Sequence, residues 1–309
     1  MEPAILPGDG IQTMSEDDFD FTRPQEGKAS APFKAASSRF YNSGAAEMLF
    51  RASGREEKFA NNQVLFLEDE KVTKGGLFKA PSRMYFVAGG EVLLTMGPRP
   101  LDTVKKGEIF GEMAVISGRP RSASAAARGD VVTFSMDADE LQAAIGRNPE
   151  FALMLASVMY DRLRFIATRL AQKKMEPGSL AREATVFEPQ LMAQLISGLP
   201  EGAIVRYPRE TIIFKEGQAG TFMYMVKSGR IAIAVGSNIV EVVGAGGTFG
   251  EMAIVDQSPR TARAGALEDS ELVSIDRDVL LGLIKKNPAF AMAMLRGIAD
   301  RLRHMNLLL

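Results

Sequence analysis

Cysteine is absent from the 309 residues, and His304 is the only histidine. The first absence excludes disulfides and thiolate chemistry and fits a reducing compartment. The second excludes a histidine-based catalytic dyad or a multi-histidine metal site, and His304 is expected as a solvated residue on a C-terminal helix. Charge of one sign is also missing. Lys and Arg total 37 against 38 Asp and Glu, a net charge of −1, so no global basic field draws the chain to nucleic acid or to an anionic membrane. The longest apolar runs, such as Phe151 to Tyr160, fall short of the roughly 20 residues that a bilayer span needs. No basic-then-apolar segment opens the sequence, so a cytoplasmic protein without a membrane span is expected. No nucleophile–base pair, metal cluster or nucleoside-triphosphate loop is legible; the chain reads as a non-enzyme, with no catalytic residue, metal ligand or cofactor assigned.

What the sequence does have is one stretch written twice. Phe110-Gly111-Glu112-Met113-Ala114 through Pro120-Arg121-Ser122-Ala123 to Ala125 recurs as Phe249-Gly250-Glu251-Met252-Ala253 through Pro259-Arg260-Thr261-Ala262 to Ala264. The interval is a constant 139, and nine of the sixteen residues are identical. The length suits about two domains, so the chain reads as a tandem repeat. Each copy holds the parts of an anion site. Gly111 and Gly250 let the backbone approach a ligand closely, and the short apolar run after each can start a helix whose first N–H groups face an anion. Arg121 and Arg260, nine residues beyond the glutamates and each behind a proline, offer a planar fork for two phosphate oxygens. Glu112 and Glu251 are suited to accept a hydrogen bond from a sugar hydroxyl.

These residues resemble the phosphate-binding cassette of the cyclic nucleotide-binding domain family, and the resemblance covers the chain from about residue 50 to its end. It implies that Arg121 and Arg260 bind the cyclic phosphate and that Glu112 and Glu251 take the ribose 2′-hydroxyl. Backbone amides near Gly111, Ala114, Gly250 and Ala253 would complete the cradle, with Met113, Ala123, Met252 and Ala262 in the same two sites. Ser122 and Thr261 fall where the family places a small or hydroxyl residue beside the phosphate and the base. A hydroxyl there can serve the phosphate or a guanine amino group, so cAMP is the expected ligand and cGMP stays open.

The chain divides accordingly. Residues 1–42, with Pro3, Pro7, Pro24 and Pro32 and an acidic knot from Glu16 to Phe21, carry too little apolar periodicity to offset the entropy of ordering. They are expected as a disordered arm, or as a docking peptide in which Phe19 and Phe21 meet a partner. Domain one is expected over 43–172. It should hold a helix from Ser43 to about Ala52, strands at Val64–Leu67 and Met84–Val87, a Gly89-Gly90 turn into Glu91–Leu94, and a closing strand at Val131–Met136. Asp137 and Glu140 form a capping pair for a helix that Asn148-Pro149 interrupts. The loop Glu70–Arg83 is nine residues longer than its counterpart and reads as neutral decoration or a partner-binding loop. From Phe151 apolar residues recur at helical spacing. The resemblance makes this helix the lid over the bound base, with Tyr160, Arg164, Phe165 and Arg169 as candidates to touch it. A linker at 173–185 leads to domain two, 186–309, with a helix at Gln190–Ser197, strands at Thr211–Phe214, Phe222–Val226 and Ile231–Val235, and helices at Leu280–Lys286 and from Phe290.

The fold class is therefore mainly β with flanking α: two jelly-roll-like β-rolls, each with N-terminal and C-terminal lid helices. The expected function is a cyclic-nucleotide sensor or adaptor whose lid helices repack on binding and are read by an unidentified protein partner. The alternatives are a regulatory subunit of a protein kinase or other enzyme, although no Arg-Arg-x-Ser or Arg-Arg-x-Ala pseudosubstrate occurs, and a tandem-roll scaffold with one functional pocket. A transcription factor is disfavoured because six residues follow Arg303, too few for a helix-turn-helix. Exposed lid helices could pair two chains into a homodimer.

Overall fold

The structure is a computed structural model that describes residues 12–13, 40–71, 81–171, 183–184, 187, 189–197, 199 and 202–307. The expected arm apart from Gln12, Thr13 and residues 40–42, the middle of the Glu70–Arg83 loop, and most of the 173–185 linker lie outside these residues. Two compact units divide the chain. One comprises 39–155 with 284–299; the other comprises 156–283 with 300–309 and the strand at Gln12–Thr13.

After β1 (Gln12–Thr13), the first roll is built from α1 (Ser43–Ser53), β2 (Arg55–Phe59), β3 (Val64–Phe66), β4 (Met84–Met96), β5 (Arg99–Lys105), β6 (Ile109–Phe110), α2 (Glu112–Ser117), β7 (Ser124–Met136) and α3 (Ala138–Arg147), and leads into α4 (Pro149–Ala171). Then come β8 (Glu183–Ala184), α5 (Pro189–Ser197), β9 (Ile204–Tyr207), β10 (Thr211–Phe214), β11 (Met223–Ser228), β12 (Ile231–Val235), β13 (Asn238–Val243), β14 (Thr248–Phe249), α6 (Glu251–Asp256), β15 (Arg263–Ala266), β16 (Ser270–Ile275), α7 (Arg277–Lys286) and α8 (Pro288–Leu307). The expected fold class holds: mainly antiparallel sheet with flanking helices, twice. The first roll orders its strands β2-β7-β4-β5, with β3 also on β7 and β6 on β4. The second uses two sheets, β1-β10-β15-β12-β13-β8 and β14-β11-β16-β9.

Local chemistry sets the element ends. Asn42 caps α1 by accepting the Ala45 N–H at 3.0 Å. Asp137 and Glu140 close a reciprocal capping box at the start of α3, as expected. Pro149 and Pro288 open α4 and α8, where a missing N–H leaves no bond unmade. The Gly89-Gly90 turn is not there. β4 runs unbroken from Met84 to Met96, and its register on β7 shifts on both sides of Gly89. Gly90 has φ 81°, and a Cβ on it would lie 2.3 Å from the Asp130 carbonyl oxygen, so the pair of glycines bends a strand against its neighbour instead of reversing it. Inside the segment expected as an arm, Gln12 and Thr13 pair antiparallel with Ile212 and Thr211.

Each roll closes on an aromatic triad. Tyr85 and Phe110 stack with ring centroids 5.1 Å apart, and Phe66 lies 6.1 Å from each. Tyr224 and Phe249 repeat this at 5.3 Å, with Phe214 6.3 and 5.9 Å away. Val104 of β5 with Ala125, Ala127 and Val131 of β7 extend the first core, and Ile231 of β12, Val243 of β13, Ala264 and Ala266 of β15 and Leu272 of β16 extend the second. No helix among the described residues is long and apolar enough to cross a membrane.

Candidate functional site

β6 and β14 each deliver the chain to a glycine in the left-handed region, Gly111 at φ 74° and Gly250 at φ 77°. These glycines cap α2 and α6 with no side chain on the first amides. The arginines then fold back onto them. Arg121 is buried, donates from Nη1 to the Gly111 carbonyl at 2.9 Å and from Nη2 to the Arg83 carbonyl at 2.8 Å, and lies 4.0 Å above the Phe66 ring. Arg260 repeats each contact, to Gly250 at 2.8 Å, to Phe222 at 2.7 Å and over Phe214 at 4.1 Å. Main-chain bonds hold the arginine backbones as well: Arg121 to Glu70 and Asp69, Arg260 to Gln218 and Gly217. Carbonyls and rings orient a guanidinium without cancelling its charge. Burial consequently pushes the Arg121 pKa below its usual value, although Tyr85, Glu70 and Glu112 act in the opposite direction. An anion delivered here relieves that cost.

Glu112 and Glu251 are buried beside these arginines' turns. Glu251 accepts from the Thr248 hydroxyl at 2.6 Å and from Arg301 Nη1 at 2.9 Å. Arg301, on α8, also pairs with Glu241 at 2.8 Å and donates to the Thr248 carbonyl. Its burial disfavours the charge, yet Glu241 and Glu251 outweigh this and hold its pKa above the ordinary arginine value. Glu251 is thus held in a fixed orientation by two donors.

In the second roll these groups surround a cavity that opens to solvent. Gly250, Glu251, Met252, Ala253, Arg260, Thr261 and Ala262 all line it. The Thr261 hydroxyl rests on Met252 Sδ at 3.1 Å. In the first roll Glu112, Ala114, Arg121 and Ala123 are buried, Gly111 and Met113 half-buried, and Ser122 exposed.

Two expectations are corrected. Tyr160 and Arg164, candidates for the lid of the copy they follow in sequence, line the cavity of the second roll. Arg164 is bound there to Asp256, to the Ser258 hydroxyl at 3.2 Å and to Asp161. Phe165 is not among the lining residues, and the side chain of Arg169 lies outside the described residues. His304 also lines the cavity, because the buried Leu302 and Met305 turn this face of α8 inward. Sequence reasoning missed Phe66, Phe214, Tyr85, Tyr224, Glu241 and Arg301. Tyr85 and Tyr224 keep the 139-residue interval, as do Asp161-Arg162-Leu163-Arg164 and Asp300-Arg301-Leu302-Arg303, so the repeat outside the cassette was the signal.

The family model of the cyclic nucleotide-binding domain matches residues 56–148 and 204–287, more than half of the chain. The chain belongs to that family. Both cyclic nucleotide-binding domains therefore contain one of the two arginine turns. Among curated relatives, the CRP-like cAMP-activated global transcriptional regulator of Mycobacterium tuberculosis is 34% identical over 124 residues, 38% of this chain and 54% of the relative. The cGMP-dependent protein kinase of Toxoplasma gondii is 28% identical over 221 residues, 70% of this chain and 19% of the kinase. The chain spans about half the length of the first relative and about a fifth of the second. The solved catabolite activator protein of Thermus thermophilus is 31% identical, covering 39% of this chain and 58% of that one, with a TM-score of 0.34.

Proposed function

We propose that this protein is a cytoplasmic cyclic-nucleotide sensor with two sites, cAMP preferred over cGMP, that relays occupancy to a protein partner through its lid helices. One observation carries the reading: twice over, a buried arginine lies on an aromatic ring with its fork held by carbonyls, next to a buried glutamate. In this reading domain one covers 43–172 and domain two 186–309, joined by 173–185. Arg121 and Arg260 grip the cyclic phosphate, and Glu112 and Glu251 accept from the ribose 2′-hydroxyl. Amides near Gly111, Ala114, Gly250 and Ala253 complete the cradle. Ser122 and Thr261 stand between phosphate and base.

The reading needs no catalytic group: the ligand acts by binding one arrangement of the lid more tightly than another. Calorimetric titration of the purified protein with cAMP, cGMP and cyclic dinucleotides tests it. Saturation near two mononucleotides per chain is expected, and no uptake of any of them overturns the proposal. A second reading, a kinase regulatory subunit, is favoured by relatives of that name, one in Mucor circinelloides f. lusitanicus being 34% identical over 82 residues. Inhibition of a cyclic-nucleotide-dependent kinase by this protein, reversed by substrate peptide, would separate it from a free-standing sensor.

A further inference from the structure

The cavity of the second roll contains a hydroxyl that no described residue satisfies. Tyr160 is 1% exposed and lines the cavity, and its Oη has no hydrogen-bond partner among the described residues. A buried hydroxyl left unpaired costs stability, and a phenylalanine would fill the same space without that cost. Packing alone therefore does not account for a tyrosine here. Burial, with Glu251 next, raises its pKa well above the ordinary tyrosine value, opposed by Arg301 and Arg164, so the group stays an O–H donor. The charges that act on it belong to the glutamate side of the cavity, while Leu163, Ile233, Val235 and Val240 offer an apolar wall suited to a base. The residue 139 positions on is Ala299, so the repeat supplies no such hydroxyl from α8.

We infer that Tyr160 is a ligand-contacting residue of the second site, its hydroxyl donating to an acceptor on the sugar–base portion of the bound cyclic nucleotide. The inference rests on the proposed function of this cavity, and gives the second site a recognition element that the first does not draw from the repeat.

The test uses the full chain with Arg121→Ala to silence the first site, with and without Tyr160→Phe. Without ligand, the phenylalanine variant should melt at or above the temperature of its parent, because an unpaired group has been removed. It should nevertheless bind cAMP about five- to tenfold more weakly in calorimetry, the loss of one neutral hydrogen bond. With 2′-deoxy-cAMP, disappearance of that difference places the acceptor on the ribose hydroxyl, and its persistence places it on the base. Unchanged cAMP affinity overturns the inference while leaving the sensor reading intact, and a lower melting temperature without ligand overturns it too, since the hydroxyl would then have a structural partner. Failure of the wild-type chain to bind any cyclic nucleotide overturns both.

Discussion

An arginine whose fork already rests on two carbonyls and a ring loses little freedom when an anion arrives. That is the physical content of the contacts made by Arg121 and Arg260. Replacing either by alanine removes a charge-assisted contact worth about 1.5–3 kcal/mol, so the affinity of that site should fall roughly ten- to a hundredfold. Lysine should not restore it, because a point charge on a flexible stem cannot reproduce the fork. Calorimetry on Arg121→Ala and Arg260→Ala separately assigns the two sites; wild-type affinity in either variant removes that arginine from the proposal. The glycines opposite them are constrained as well. An added Cβ would stand 2.7 Å from Arg260 Nη1 at Gly250 but 3.1 Å from Arg121 Nη1 at Gly111, both at positive φ. Gly250→Ala should therefore weaken its site more than Gly111→Ala weakens the other, measured by the same titrations.

At the scale of elements, legibility followed local signals. Helices with a cap, a proline at the first turn or an apolar stripe were readable: α1, α3, α4 and α5 lie where Ser43, Asp137, Pro149 and Pro189 put them. Strands without alternation were not. β2 is Arg55-Glu56-Glu57-Lys58-Phe59 and β5 is Arg99 to Lys105, both largely exposed, and they form because β7 and β4 present paired edges. The cassette residues were legible because both copies repeat them, whereas the aromatic triads and Arg301 become a site only once the rolls close. The cap on α3 does more than end a helix. Asp137 also faces Arg83 Nη1 at 3.4 Å, and Glu140 accepts from Arg83 Nη2 at 2.6 Å, so the box anchors the buried arginine whose carbonyl receives Arg121. Asp137→Ala should cost about 1–2 kcal/mol in urea unfolding, the upper part of the usual range for a lost cap. A change below a few tenths would show that the Arg83 network compensates for it.

For the molecule as a whole, the two copies are not equivalent. Val240, at the apolar wall of the second cavity, is 9% exposed, and Val235 beside it is half-buried. Their counterparts 139 residues earlier, Leu101 and Met96, are 51% and 47% exposed. Tyr160, Leu163, Arg301, His304 and Met305 line the second cavity and form a partial helical cover, so in the proposed reading a nucleotide bound there should leave more slowly than one in the first roll. In the first roll the corresponding wall faces solvent. Affinity differences between related sites reside mostly in dissociation. Displacement of a fluorescent cyclic nucleotide by excess cAMP should therefore show two phases. The slow phase should vanish in Arg260→Ala and the fast phase in Arg121→Ala. A single phase, or the opposite assignment, would mean that the cover over the second cavity does not hold its ligand.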